Sequence, residues 1–264
     1  MSPRFYLFRK RTKFRWRHAR RFDELQRLRR SDSQTYSLKP YDQRRCIFVH
    51  IPKCAGVAVA GSLFGNLGGG HLTFDDYTRI FSPGEVLSYF KFTIVRNPWD
   101  RLLSAFRFLR QGGFSAEDRA WAEANISSFA DFDEFVRAWV NRENIWAWYH
   151  FRPQYHYIRE KHDRVRLDFI GRLESIEDDF ACIADRLGCS RAIPKVNQSA
   201  SGRVDYVDYY TPETVAIVAE AYREDIDLLG YSFGDSPNTT DAVGVAPGGQ
   251  ADLRSVVSSQ RSRR

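Results

Sequence analysis

Lys53 stands in the loop Ile51-Pro-Lys-Cys-Ala-Gly56, between the β-branched and aromatic run Cys46-Ile-Phe-Val-His50 and the segment Val57 to Phe64. In that segment Val57, Ala60, Leu63 and Phe64 recur at helical spacing, so the pattern reads as strand, loop, helix. A loop of this kind turns backbone N–H groups and the positive end of a helix onto one spot, which favours an anion. Lys53 is placed to reach the same anion. The loop does not fit the Walker sequence, and it lacks the Ser/Thr after the lysine that would hold Mg²⁺ in a nucleoside-triphosphate enzyme.

A second element of the same kind follows. Phe90-Lys-Phe-Thr-Ile-Val95 reads as a buried strand, Asn97 as an N-cap and Pro98 as the first residue of a helix. Trp99, Leu102, Leu103, Phe106 and Leu109 form the apolar stripe of that helix. Arg96, Asn97, Arg101 and Ser104 are expected along its start and one face, where arginine offers a planar fork to phosphate oxygens and serine a hydroxyl donor. Two phosphate-binding elements on adjacent parallel strands point to a ligand phosphorylated at both ends.

These residues need a frame. Residues 127–150 look helical and rich in aromatics, Leu167 to Gly171 reads as a third strand, and Ile176 to Leu187 as an amphipathic helix ended by Gly188. Thr211-Pro-Glu213 caps a last helix running to about Leu229. Alternating strands and helices predict an α/β class, a P-loop-like three-layer fold with a central parallel sheet flanked by helices. Three segments are expected: a basic N-terminal arm over 1–40, a catalytic domain over 41–234, and a disordered tail over 235–264 where Gly, Ser, Pro and Asn dominate.

The charge sits in the arm. Residues 1–30 carry twelve Lys/Arg against Asp23 and Glu24, a net +10, whereas the remaining residues carry 28 basic and 31 acidic side chains. The body is therefore not a basic nucleic-acid binder, and no nucleic-acid partner is expected. Arginines interleaved with Phe5, Tyr6, Phe8, Phe14 and Trp16 would suit an anionic membrane surface or a polyanionic glycan, although a solvated terminal helix explains them equally well. No apolar run approaches the roughly 18–20 residues of a membrane span, and no signal-peptide pattern opens the sequence, so the expectation is a cytoplasmic protein. Cys46, Cys54, Cys182 and Cys189 form no CxxC pair and are expected as free thiols.

The motifs His50-Ile-Pro-Lys-Cys-Ala-Gly56 and Arg96-Asn-Pro-Trp-Asp-Arg-Leu-Leu-Ser104-Ala-Phe106 resemble the two donor-binding motifs of carbohydrate sulfotransferases. The resemblance is to the group that contains Golgi glycosaminoglycan sulfotransferases and bacterial relatives. Asp168-Phe-Ile-Gly-Arg-Leu-Glu174, Asn197-Gln-Ser199 and Tyr209-Tyr-Thr-Pro-Glu213 extend the similarity over roughly residues 44–233. What it implies is a sulfotransferase that uses 3′-phosphoadenosine 5′-phosphosulfate (PAPS) as donor, with a carbohydrate or glycan acceptor and no metal. By motif position Pro52, Lys53, Cys54, Ala55, Gly56 and Val57 cradle the 5′-phosphosulfate, and Lys53 contacts the oxygen bridging phosphorus and sulfur. Arg96 and Ser104 bind the 3′-phosphate. Val57 departs from the family, in which a Thr there often bonds the 5′-phosphate, so affinity must rest more on loop amides and on Ser62 if it faces inward.

Transfer to a hydroxyl also needs a base, and a pKa near neutral favours histidine. His71 follows Gly68-Gly-Gly70 and resembles a His-bearing segment that carries the proposed base in several family members; it is preferred over His150, His156, Asp75 and Asp76. The segment Trp146 to Gln154 combines aromatic rings with Arg152 and Gln154, a composition suited to sugars, although a packed aromatic core accounts for many of those rings. A nucleotide or small-molecule kinase and a non-catalytic polyanion-binding protein are the competing functions. Acceptor identity and oligomeric state are not legible.

Overall fold

The computed structural model describes residues 1–163, 166–193 and 205–235. Helices α1 (Pro3–Arg17), α2 (Ala19–Arg30) and α3 (Lys39–Arg44) precede β1 (Cys46–Val49), and α4 (Gly56–Phe64), α5 (Phe74–Ile80) and α6 (Pro83–Ser88) lead to β2 (Phe90–Val95). Then come α7 (Pro98–Arg110), α8 (Ala116–Asn125), α9 (Phe132–Trp139), α10 (Gln154–Ile158), β3 (Phe169–Arg172), α11 (Ile176–Leu187), α12 (Pro212–Ala221) and α13 (Arg223–Leu229). The strands form a parallel sheet in the order β1-β2-β3, flanked by helices, so the expected α/β class holds.

The described residues divide into two compact units, one built from 1–95, 154–163 and 166–193, the other from 96–153 and 205–235. The first holds the sheet. Every residue of β1 is buried, as are Lys91 to Val95 of β2, which is why both read as continuous runs rather than alternating ones. Register is pinned by side chains: Thr93 Oγ1 donates to the Val49 carbonyl at 2.7 Å, and buried Lys91 holds Asp168 at 2.7 Å just ahead of β3. With β1 Val49 opposite Thr93 and β2 Val95 opposite Arg172, the carboxyl ends of the three strands lie along one edge of the sheet, where α/β proteins build their sites.

In the same unit, residues 1–30 fold as two helices joined at His18. Leu7, Phe22 and Leu25 are buried, Lys10 pairs with Glu160 at 2.7 Å and with Asp75, and Arg29 bridges Asp42 and Glu85 at 2.6 Å each. Helices α5 and α6 begin with reciprocal capping boxes at Thr73/Asp76 and Ser82/Glu85.

The second unit is built on α7. Asn97 Oδ1 accepts the Trp99 amide at 3.1 Å, and Trp99, Leu102, Leu103, Phe106 and Leu109 are buried, as expected. They join Phe132, Phe135, Phe151 and Tyr222 in an aromatic core, where each buried large apolar side chain contributes about 1.5–3 kcal/mol.

Three expectations need correction. Residues 127–150 are not a continuous helix: α9 covers Phe132–Trp139, and the rest is turns with one short 3₁₀ segment, because Val140 leaves the helical region (ψ 116°). The last helix is broken at Tyr222 into α12 and α13. On α4 the buried residues are Gly56, Val59, Ala60 and Leu63, whereas Val57 points outward at 62% exposure. Asn197-Gln-Ser199 and residues 236–264 of the expected tail lie outside the described residues.

Candidate active site

The loop after β1 has an unusual backbone. Lys53 (φ 68°) and Ala55 (φ 57°) both occupy the left-handed region, which costs a non-glycine residue about 1–2 kcal/mol and is kept only where the surroundings enforce it. Successive N–H groups in such a turn form an anion-binding concavity. Ala55 is the N-cap of α4 and has no side-chain acceptor, so no cap side chain takes the first-turn amides. The positive end of the helix dipole at this turn favours an anion. Within the loop Pro52, Cys54 and Gly56 are buried, Lys53 and Ala55 are partly exposed, and Val57 stands exposed on the first turn of α4.

Two side chains hold the loop from behind. A Cβ on Gly56 would lie 1.8 Å from Cδ2 of His50, so only glycine fits where α4 starts against that ring. His50 is 5% exposed and stacks on Phe48, their centroids 5.9 Å apart. The thiol of Cys54 donates to Oε1 of fully buried Gln154 at 3.4 Å. Gln154 is therefore placed behind the loop and not on a surface that an acceptor could touch.

His71 is brought to this loop. Its Nδ1 lies 3.1 Å from the carbonyl oxygen of His50, and the two rings meet edge to face with centroids 4.5 Å apart. A carbonyl only accepts, so Nδ1 carries the proton and the lone pair of the neutral ring is on Nε2. The competing carboxylates have other tasks: Asp75 pairs with Lys10 and Arg79, and Asp76 closes the capping box of α5. Burial opposes the Asp75 charge, but the hydrogen bond and charge of Lys10, with Arg79 and the Lys161 amide, hold its pKa below the ordinary carboxylate value. Ser62 Oγ is buried without a hydrogen-bond partner among the described residues, and it sits about 9 Å along the helix axis from Gly56, too far to replace the missing threonine.

In the second unit, Asp100 grips Arg96 by two parallel hydrogen bonds of 2.7 Å to Nε and Nη2. Ser104 follows Asp100 by one turn on the same face and is partly exposed. Arg101 and Asn97 belong to the frame: Arg101 is 1% exposed and donates to the His150 carbonyl at 3.1 Å, and Asn97 donates to the Ser232 carbonyl at 2.9 Å.

The aromatic segment is divided: His150 and Phe151 are buried and Trp148 packs against the core, whereas Trp146 is 37% exposed. Its polar groups converge on buried Asp118, whose Oδ1 accepts from Trp148 Nε1 (3.0 Å) and the Tyr149 hydroxyl (2.8 Å) and lies 3.2 Å from His150 Nε2. Burial pushes the Asp118 pKa up, but the Phe114 amide, Tyr149, the His150 charge and Trp148 together hold it below the ordinary value. His150 is thus committed to packing, while Arg152 is partly exposed, its Nε 3.4 Å from the Trp146 carbonyl.

An α/β protein with a left-handed strand-loop-helix turn at the carboxyl edge of a parallel sheet is the class this geometry defines. The sequence matches the model of the sulfotransferase family over residues 71–232, more than half of the chain, and the chain belongs to that family. It is 34% identical over 102 residues to mouse carbohydrate sulfotransferase 14, a stretch that covers 34% of this chain and 27% of the mouse protein, about a quarter of the relative's length. No solved structure matches. The family match begins at His71, so the loop of Lys53 lies outside it and stands on its own geometry. Among the described residues no helix is long and apolar enough to cross a membrane, and the comparison gives the expected cytoplasmic location no support.

Proposed function

We propose that this protein transfers a sulfuryl group from PAPS to a hydroxyl of a carbohydrate acceptor. The single observation that carries the reading is the loop of Lys53, with two left-handed residues and an uncapped helix start behind it. Family membership supports sulfuryl transfer, and the similarity to a carbohydrate sulfotransferase supports the acceptor class.

Residues Pro52 to Val57 hold the 5′-phosphosulfate, chiefly through backbone amides, and Pro52 contributes shape but no N–H. Arg96 and Ser104 take the 3′-phosphate, with Asp100 fixing the guanidinium plane. His71 Nε2 accepts the proton as the acceptor oxygen forms its bond to sulfur. Lys53 stabilises the charge that builds on the bridging oxygen as the S–O bond breaks and adenosine 3′,5′-bisphosphate leaves. Catalysis is then positioning and fixed charge, as in phosphoryl transfer. Arg152 is the one residue of the aromatic segment retained as an acceptor contact.

The test is sulfate transfer from labelled PAPS to a panel of glycans by wild type and Lys53→Ala. The reading expects kcat to fall about 10²–10³-fold in the variant while adenosine 3′,5′-bisphosphate binding weakens far less. No transfer to any glycan, or equal losses in kcat and binding, would contradict it.

A further inference from the structure

Helix α1 carries apolar residues on two opposite sides. Leu7 and Phe14 face the body of the unit, with Leu7 fully buried, whereas Phe5, Phe8 and Trp16 are 51%, 57% and 81% exposed. At 100° per residue, Phe5, Phe8, Thr12 and Trp16 fall within one outward strip, flanked by Arg4 and Arg15 on one side and by Arg9 and Lys13 on the other, all exposed. No acidic residue occurs before Asp23. Beside the strip, an open groove of about 480 Å³ between α1 and the start of α6 is lined by Arg4, Phe5, Phe8 and Pro83.

We propose that this outward face of α1 docks on an anionic lipid membrane, lying in the interface plane. Aromatic rings between rows of cations are the composition of an interfacial helix, in which rings enter the headgroup boundary and Arg/Lys meet lipid phosphates. Charge complementarity fixes the sign of the surface, since an unopposed row of cations on both sides of the strip selects acidic lipid. The exposed rings and the apolar groove decide between lipid and a polyanionic glycan. A glycan can be held by the cations alone and can stack on a single ring, whereas a strip of three exposed rings, Phe5, Phe8 and Trp16, gains most from an apolar phase. The inward face, tied by Leu7 and the Lys10 pairs, keeps the helix seated while the outward face engages.

Co-sedimentation of the full chain with phosphatidylcholine vesicles, with and without about 30% phosphatidylglycerol, tests this. Binding is expected on the anionic vesicles only, falling about tenfold in the double variant Phe8→Ser/Trp16→Ser with the melting temperature unchanged. Binding lost in Arg9→Gln/Lys13→Gln but untouched by the serine variant would overturn the inference, because charge alone would then explain it. So would retention on heparin without vesicle binding, which would favour a glycan partner, or a dimer that Trp16→Ser dissolves.

Discussion

The imidazole of His71 is fixed by the backbone of His50: Nδ1 donates to that carbonyl at 3.1 Å, which ties the ring to the residue three positions ahead of Lys53. The pairing suits the proposed division of work, in which Nδ1 holds position and Nε2 would take the proton.

If His71 is the base, His71→Asn, whose amide can still donate to the His50 carbonyl, should keep the fold and lose the proton acceptor. We expect kcat to drop about 10²–10⁴-fold with little change in melting temperature, and the limb of the pH–rate profile that reports a base to disappear. Near-normal turnover in His71→Asn would remove the residue from the mechanism.

Val57→Thr should tighten donor binding. The side chain is exposed on the first turn of α4, where a hydroxyl can join the loop amides, and one added hydrogen bond of ordinary strength corresponds to roughly 2–10-fold in Kd. Calorimetry with adenosine 3′,5′-bisphosphate checks it; weaker binding in the variant would mean that the anion does not sit at this end of α4.

Gly56→Ala drives a methyl to 1.8 Å from the His50 ring, a side chain closed in by Phe48 and His71. Overpacking of this kind costs about 1–3 kcal/mol or displaces His50, so the variant should melt lower and lose turnover together. Glycine's absence of a Cβ is a packing requirement here, which urea unfolding would measure directly.

Asp118 makes stability fall at acid pH. Its folded pKa lies below the unfolded value, so near pH 4 the unfolded chain binds the extra proton; the contribution is whole above the unfolded carboxylate range and is lost as pH drops through the folded pKa. Asp75 acts in the same direction. The melting temperature of wild type should therefore decline from about pH 5 downward, and Asp118→Asn should start lower and decline less steeply. An unchanged slope in Asp118→Asn would rule out this residue as the source.

Much of this was legible in the sequence because it is local. The strands of Cys46 and Phe90 are short apolar runs buried on both faces, Asn97-Pro98 announces a helix start, and Gly188 a helix end. The capping boxes of α5 and α6 were present as Thr73/Asp76 and Ser82/Glu85 and could have been found the same way. Less legible were features that depend on distant partners. That Gln154 lies behind Cys54, a hundred residues away, and that Trp148, Tyr149 and His150 converge on Asp118, cannot be read from composition; several rings that looked suited to sugar are tied to a buried carboxylate. Val57 misled for a different reason: its spacing fits the apolar stripe, but the first turn of α4 rotates it to solvent.

The donor is the central proposal, and calorimetric titration of adenosine 3′,5′-bisphosphate tests it most directly, with 5′-AMP and ATP–Mg²⁺ as controls. It predicts binding that requires the 3′-phosphate and is lost in Arg96→Ala. Failure to bind, or a preference for ATP–Mg²⁺, would contradict it and turn attention to a kinase.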